Sequence, residues 1–581
     1  MTAEVTRPPA SGGVWIILVA AVLLGAPILL LGAPATDNAH YNLNWAEQFA
    51  ALLASGVAVP RWLPDAFGGL GSPTFVFYAP LPFYATAPLL WLFGNVLDGG
   101  RIMGLVQVAM LAGSGLMMRR WLLQCGAARH ATVGSLIYMA APYHLFDIYV
   151  RGSFGEIAAY AALPLLVAAL DRCLRGHCRH VLWLAFATAL LLLSHLPSAM
   201  LAAVFVAIPY AFLRLASAAR PMAARMRGGA AVLAGATGGI VLAAFQVVPA
   251  LAMLSANSFE HMTTGRYDSA GWLLLRPDAW LSAGYMTFVA TAAFGVAALA
   301  IAGLAFTRGG VGGEPRIWAV LTLLGGAFMA GILPALWSDG SPLTRVQFPW
   351  RMLLVLDFTS VTALVLAAEH SGRPRRATLA VWFLTVLPAL FVLAAAAYPI
   401  LRTTTTNAWR ETYRTVVAYR PDPGEYLPAG HWLGPSAAGV ASIDHVLQLL
   451  ASIGPGSRAW GEPEAEVGVR VVESGPLGER LAVAAPYGGR VVLRRFDFPA
   501  WHLVGPGAEL GLPREPHGPD RLLSFRVPPG EHTLELVWIM PLSARIAALA
   551  SVLGWFAWGL AALSWRFLPS AGPIGVPVRS P

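Results

Sequence analysis

An all-α polytopic membrane protein with an extracytoplasmic β-sandwich-like domain near its C-terminus is the architecture this sequence predicts. Three observations predict it. Of the 581 residues, 57% are hydrophobic and 12% charged, where a soluble domain carries about 25% charged residues. Apolar runs of about eighteen residues or more recur along the chain, each able to cross a hydrocarbon core of roughly 30 Å as a helix. Between residues 400 and 541 that helical period gives way to short alternating runs broken by turn signals.

The net charge is +9, from 39 basic against 30 acidic residues, and the sequence contains no lysine. A basic soluble chain points to nucleic acid. Here no nucleic-acid partner is expected, because the arginines collect in short loops as the positive-inside rule requires.

The first apolar run, 14–33, follows a short stretch bearing Arg7, and its length favours a retained span over a cleaved signal. Further spans are predicted near 102–118, 131–148, 156–171, 181–196, 198–213, 229–252, 283–306, 317–337, 350–369, 377–398 and 543–565. The run 73–95 differs, because Pro73, Pro80, Pro82 and Pro88 interrupt the backbone ladder that lipid requires to be closed. Read as an interfacial or re-entrant segment, it leaves RRWLLQCGAARH, DRCLRGHCRH, RLASAARPMAARMRGG, TRGGVGGEPR and HSGRPRR as cytoplasmic loops. The result is about twelve spans with both ends cytoplasmic. Cys125, Cys173 and Cys178 all fall in these loops, as reduced thiols would. Their spacing with His177 and His180 matches no standard zinc pattern.

Three parts follow. Residues 1–399 form the transmembrane core with an outer loop at 34–100, residues 400–541 an exported and mostly β domain, and residues 542–581 a last span and cytoplasmic tail. In the outer loop, Trp45, Phe49, Leu52 and Leu53 share one helical face, so 41–55 reads as an amphipathic helix lying in the interface, stopped by Gly56 and Pro60. NAWRETYRTVVAYR reads as helical, and RVVLRRFDF, LLSFRV and HTLELVW read as strands. Trp501 suits a sandwich core better than a sugar-stacking platform, since it lies among alternating apolar residues.

The chemistry-bearing residues gather at the outer boundary. Asp37 sits where the first span ends, and two readings stay open for it: a helix cap, in competition with Asn38 and Asn42, or a catalytic carboxylate. Asp65 beside GGLG serves a turn or a second carboxylate. Arg151 with Glu156, or Asp147 with Arg151 at i and i+4, forms a structural pair or meets substrate. Arg345 and Arg351 flank VQFPW, where phosphate binding competes with interfacial anchoring by Trp350. His195 reads as a satisfied helix-end residue.

The run from Asp37 through His40, Phe49, Gly56, Pro60, Arg61 and Trp62 to FVFYAPLPFY resembles the bacterial 6-pyruvoyl-tetrahydropterin-synthase-related membrane proteins, as do RGSFGE at 151–156 and VQFPWR at 346–351. These resemble the GT-C glycosyltransferases, the superfamily of protein O-mannosyltransferases and the lipid A aminoarabinose transferase. The likeness reaches to about residue 430 and implies no pterin chemistry. It implies transfer of a sugar from a polyprenyl-phosphate donor to an extracytoplasmic glycan or lipid, at the outer face of a bacterial cytoplasmic membrane. Asp37 would be the base and His40 its neighbour, with Arg345 and Arg351 on the phosphate. Arg151 and Glu156 would shape the cavity, and the matched motifs carry Arg61, Tyr78, Gln347 and, in YLP, Tyr426 to its border. Many superfamily members pair two acidic residues in this loop, whereas Asn38 follows Asp37 here, so neither a metal nor another cofactor is implied. The implied partners are the lipid-linked sugar, membrane lipid and the acceptor. A transporter or flippase of lipid-linked saccharides, or an inactive scaffold presenting the β domain, is the alternative.

Overall fold

The computed structural model describes residues 12–31, 38–177, 179–216, 221–259, 268–273, 313–338, 340–370, 418–432, 443–454, 458–463, 466–505 and 512–567, with residues 275, 390, 394 and 456. The spans expected at 283–306 and 377–398, Cys178 and most of NAWRETYRTVVAYR lie outside these residues.

Seven helices are long and apolar enough to cross a membrane among the described residues. In chain order the helices used below are α1 (Gly12–Leu31), α2 (Ala39–Ala54), α3 (Leu81–Phe93), α4 (Gly99–Gln124), α5 (Ala131–Met139), α6 (Phe154–Leu174), α7 (His180–Ser194), α8 (Leu196–Ala216), α9 (Met222–Ala252), α10 (Gly313–Ala330), α11 (Met352–His370), α12 (Ile443–Ile453) and α13 (Leu542–Phe567). Helices α6 and α11 run through the middle of the bundle, buried along most of their lengths. At its edge, α13 is tied to α9 by Ser551, whose Oγ donates to Val241 O at 2.8 Å and accepts from Phe245 N at 2.9 Å. Its Leu549, Leu553, Phe556 and Leu560 stay exposed, as lipid-facing residues do. The proline-rich run gives α3, whose 13 residues reach about 20 Å, short of a crossing.

Two expectations need correction. The span expected at 131–148 is broken: α5 stops at Met139, Ala141 is extended ahead of Pro142, and a π-helical turn covers Asp147–Arg151. Proline's ring disfavours a helical residue before it, so one apolar run becomes two pieces. Helix α2 is not a half-exposed interfacial helix either, being buried on both faces. Its polar side chains find protein instead of water: Asn42 donates to Gly152 O at 2.5 Å, and Gln48 accepts from Asp65 N at 2.9 Å.

The C-terminal β domain is a sandwich of two four-stranded antiparallel sheets. One has the order β1 (Ala459–Glu462), β4 (Gly489–Phe496), β7 (Leu522–Val527), β6 (Arg514–His517), and the other β2 (Gly468–Gly475), β3 (Gly478–Ala485), β8 (Gly530–Trp538), β5 (Trp501–Val504). Trp501 is a core residue, 1% exposed. The domain packs on the segment between α2 and α3 through Trp62, whose ring centroid lies 5.4 Å from that of Trp501 and 5.5 Å from that of Trp538. Gly71 (φ 82) approaches Trp62 so closely that a Cβ would fall 2.3 Å from the indole, which explains a glycine there.

Candidate functional site

The broken helix builds the site. Its π turn ends at Gly152, whose φ of 64 lies in the left-handed region that favours glycine. This turn meets the start of α2: Asn38 N donates to Arg151 O at 3.0 Å. The residue directly after Asp37 is therefore anchored on the turn that carries Arg151. Asp37 itself lies outside the described residues, and His40 falls in the first turn of α2.

Arg151 is buried among acceptors. Its Nη1 lies 2.6 Å from Tyr143 Oη, 2.9 Å from Asp147 Oδ1 and 2.8 Å from Glu156 Oε1. Tyr143 donates to Glu156 Oε2 at 2.6 Å, and Ser153 donates to Oε1 at 3.1 Å. Arg351 Nε closes the cluster 3.2 Å from Glu156 Oε1. Both pairings read from the sequence for Arg151 thus occur together. Two guanidiniums balance two carboxylates, as buried charges require, and Glu156 also sits in the first turn of α6 where the helix dipole favours an anion. Asp147 Oδ2 remains buried without a hydrogen bond among the described residues.

A γ-turn aims Arg351. Phe348 N donates to Val346 O at 2.8 Å across Gln347, which has φ 66 and ψ −61. This geometry is rare and strained. Arg351 Nη1 then donates to Val346 O at 2.8 Å, with its Cζ 5.2 Å over the Phe348 ring. Arg345 is exposed, so the arginine sharing an oxygen with Arg351 is Arg151. Trp350 is buried and packs edge-on to Trp272 at 4.3 Å, which is not the setting of a lipid-facing anchor.

Aromatic residues line the side facing the β domain. Trp45 contacts Tyr78 at 4.7 Å and Tyr426 at 6.3 Å, and Tyr426 stacks on Phe77. Burial first, then the neighbouring Glu156, pushes the Tyr78 phenol up to about 12. Arg61 stands apart, donating through Nη2 to Phe245 O while its Nη1 is buried without a partner among the described residues. Desolvation lowers its guanidinium to about 10. His195 caps α8, with Nδ1 2.8 Å from Ser198 Oγ, and so behaves as the satisfied helix-end residue expected.

Sequence reasoning missed several groups. Asp422 accepts from Trp45 Nε1 at 2.7 Å and Thr74 Oγ1 at 2.6 Å, and burial pushes its carboxyl up to about 7. Burial pushes Glu425 to about 7 as well, with Asp422 adding to the shift and Arg351 opposing it. Within the spans, fully buried Asp357 accepts from Tyr160 Oη at 2.6 Å, and His144 stacks on Tyr160 at 3.7 Å. A lone acidic residue inside the apolar run 350–368 was the available signal for Asp357. The RPDPGEYLP segment around Asp422 gave no such contrast, since acidic residues are ordinary in a polar loop.

Together these features define a multi-pass membrane protein with a buried arginine–carboxylate cluster at the end of its bundle that carries a two-sheet β domain. Residues 75–391 match the family described as "6-pyruvoyl-tetrahydropterin synthase related domain; membrane protein", and the chain belongs to that family. No curated protein matches it. Among solved structures it is similar to the arabinofuranosyltransferase AftD from Mycobacteria, at 16% identity and a TM-score of 0.45, over 71% of this chain and 29% of that one. A mutant form of the same enzyme aligns at 16% identity and a TM-score of 0.44, over 68% and 28%. The chain thus spans less than a third of the enzyme's length.

Proposed function

We propose that this protein is a GT-C-like glycosyltransferase of the bacterial cytoplasmic membrane. It would transfer a sugar from a polyprenyl-phosphate donor to an extracytoplasmic glycan or lipid acceptor. The observation that carries the reading is the 3.0 Å bond from Asn38 N to Arg151 O, because it anchors the chain beside Asp37 on the cluster that holds Arg351. One carboxylate and a guanidinium at one end of the bundle are what this chemistry needs.

In the reaction, the acceptor oxygen attacks the anomeric carbon and its proton passes to the Asp37 carboxylate, with His40 as that group's neighbour. The bond from the anomeric carbon to the phosphate oxygen breaks, and the polyprenyl phosphate leaves with its negative charge. Arg351 Nε stands 3.2 Å from Glu156 Oε1 as an ion-pair contact and Nη1 donates to Val346 O, which leaves Nη2 as the proposed donor to the phosphate, where a charge-assisted bond is strongest. Arg61 and exposed Arg345 supply further positive charge. Arg151 acts through Glu156 as a positioning residue, and Tyr78, Gln347 and Tyr426 border the cavity.

Transport of a lipid-linked saccharide is the second reading, favoured by Asp357 and Tyr160 buried within the spans beside a broken helix. Reconstituted protein given a panel of radiolabelled polyprenyl-phosphate sugars separates the two. Consumption of one donor supports transfer. Label that crosses the bilayer on an unaltered donor supports transport and overturns transfer.

A further inference from the structure

One end of the β domain carries a cavity of about 650 Å³ whose lining includes Glu462, Tyr487, Gly488, Gly489, Arg490 and Arg526. Strand β4 fixes where it lies. Phe496 N donates to Leu70 O at 2.8 Å, which anchors one end of the strand on the segment between α2 and α3. Arg490 sits at the other end of β4, about 20 Å away at strand rise. The cavity therefore lies at the end of the sandwich remote from that anchor and is separate from the arginine–carboxylate cluster.

Strand register builds one wall as a row of charge. Glu462 of β1 pairs with Arg490 of β4, and Arg490 with Arg526 of β7, and residues directly opposite each other share a face of the sheet. Glu515 of β6 holds both guanidiniums: its Oε2 accepts from Arg490 Nη2 at 2.9 Å, and its Oε1 stands 2.8 Å from Arg526 Nε. His517 Nε2 lies 3.2 Å from Glu462 Oε1. These contacts fix the polar groups in advance, which lowers the ordering cost of binding. Capacity remains. Arg490 Nε is buried with no hydrogen bond among the described residues, and the Arg526 side chain is 66% exposed. Tyr487 supplies the aromatic wall, 82% exposed on the turn between β3 and β4. The turn needs Gly488, whose φ of 77 is left-handed, and with Gly489 it places bare backbone at the cavity.

We infer that this cavity binds a saccharide, with Tyr487 stacked on a sugar ring and Glu462, Arg490 and Arg526 bonding its hydroxyls. A hydroxyl both donates and accepts, so it uses a carboxylate and guanidiniums standing side by side. A phosphate would use the guanidiniums alone, and Glu462 in the same wall would oppose it. Tyrosine offers its apolar ring face to the C–H side of a sugar and keeps a polar tip for the rim. The volume falls within the range of roughly 300–1,000 Å³ typical of small-ligand sites.

The test uses the full chain in a detergent without a sugar head group, applied to an array of glucan, mannan, galactan and arabinan oligosaccharides with dextran sulfate as an anionic control. Wild-type protein is expected to bind at least one neutral oligosaccharide and to be displaced by the same sugar in solution. Tyr487→Ala and Arg526→Gln should each weaken that binding by about tenfold. Both side chains are exposed, so thermal unfolding is expected to match wild type. Arg480→Gln removes exposed ion pairs to Glu473 and Glu535 on the other sheet and is expected to leave binding unchanged. Because binding is measured without a donor, its result does not depend on whether the bundle transfers sugar. Binding to none of the neutral oligosaccharides, binding to dextran sulfate alone, or folded Tyr487→Ala and Arg526→Gln proteins that bind as wild type does, would overturn the inference.

Discussion

Arg351 reaches Glu156 Oε1 at 3.2 Å, the same oxygen that Arg151 holds at 2.8 Å. One buried carboxylate therefore fixes two arginines from elements far apart in sequence. Removing it leaves both guanidiniums under-compensated. Glu156→Gln is expected to destabilise the protein by about 3–5 kcal/mol, read by denaturation in detergent. Pairing it with Arg351→Met should restore part of that loss, and a strictly additive double variant would show that the two residues are not coupled.

Asp422 and Glu425 give a pH dependence. Their folded carboxyls titrate near 7, whereas unfolded ones titrate near 4. Between those values the folded state holds more protons, so their contribution to stability is complete below about pH 4 and is lost as pH rises to about 7. The slope approaches about 1.4 kcal/mol per pH unit for each group. Asp422→Asn should flatten the profile measured from pH 4 to 8, and an unchanged slope would remove Asp422 as its source.

Asp357 offers a contrast of substitutions. Asp357→Asn keeps an acceptor for Tyr160, whereas Asp357→Leu leaves that hydroxyl buried and unpaired, at about 1–3 kcal/mol. Thermal stability is expected in the order wild type, Asn, Leu, and equal values for the two variants would contradict the bond seen at 2.6 Å.

The γ-turn at Gln347 stores backbone strain of about 1–3 kcal/mol. Gln347→Gly should hold or raise thermal stability, and Gln347→Val should lower it, because a β-branched residue tolerates a positive φ worst. Loss of stability in the glycine variant would mean that the side chain, and not the backbone, holds the turn.

The apolar runs and the turn-punctuated strands made the helical core and the sandwich legible, since hydropathy and period-two alternation are local properties. The break at 140–153 was not, because a span-length average passes over one proline at 142. Helix α2 misled for a related reason. Asn42, Asn44 and Gln48 look like a wet face, but their partners include Gly152 and Pro421, reached only through the fold. Arg345 and Arg351 flank one motif and read as a pair, yet the γ-turn between them sends Arg351 to Glu156 and leaves Arg345 in solvent. Sequence adjacency cannot foresee a reversal that costs the backbone strain.

The most direct measurement of the central claim is single-turnover transfer from the donor identified in the panel, comparing wild type with Asp37→Asn in the same lipid. General-base catalysis contributes about 10²–10⁴-fold, so the variant is expected to bind donor with near wild-type affinity while transfer falls by that factor. Transfer at the wild-type rate in a folded Asp37→Asn protein would contradict the account.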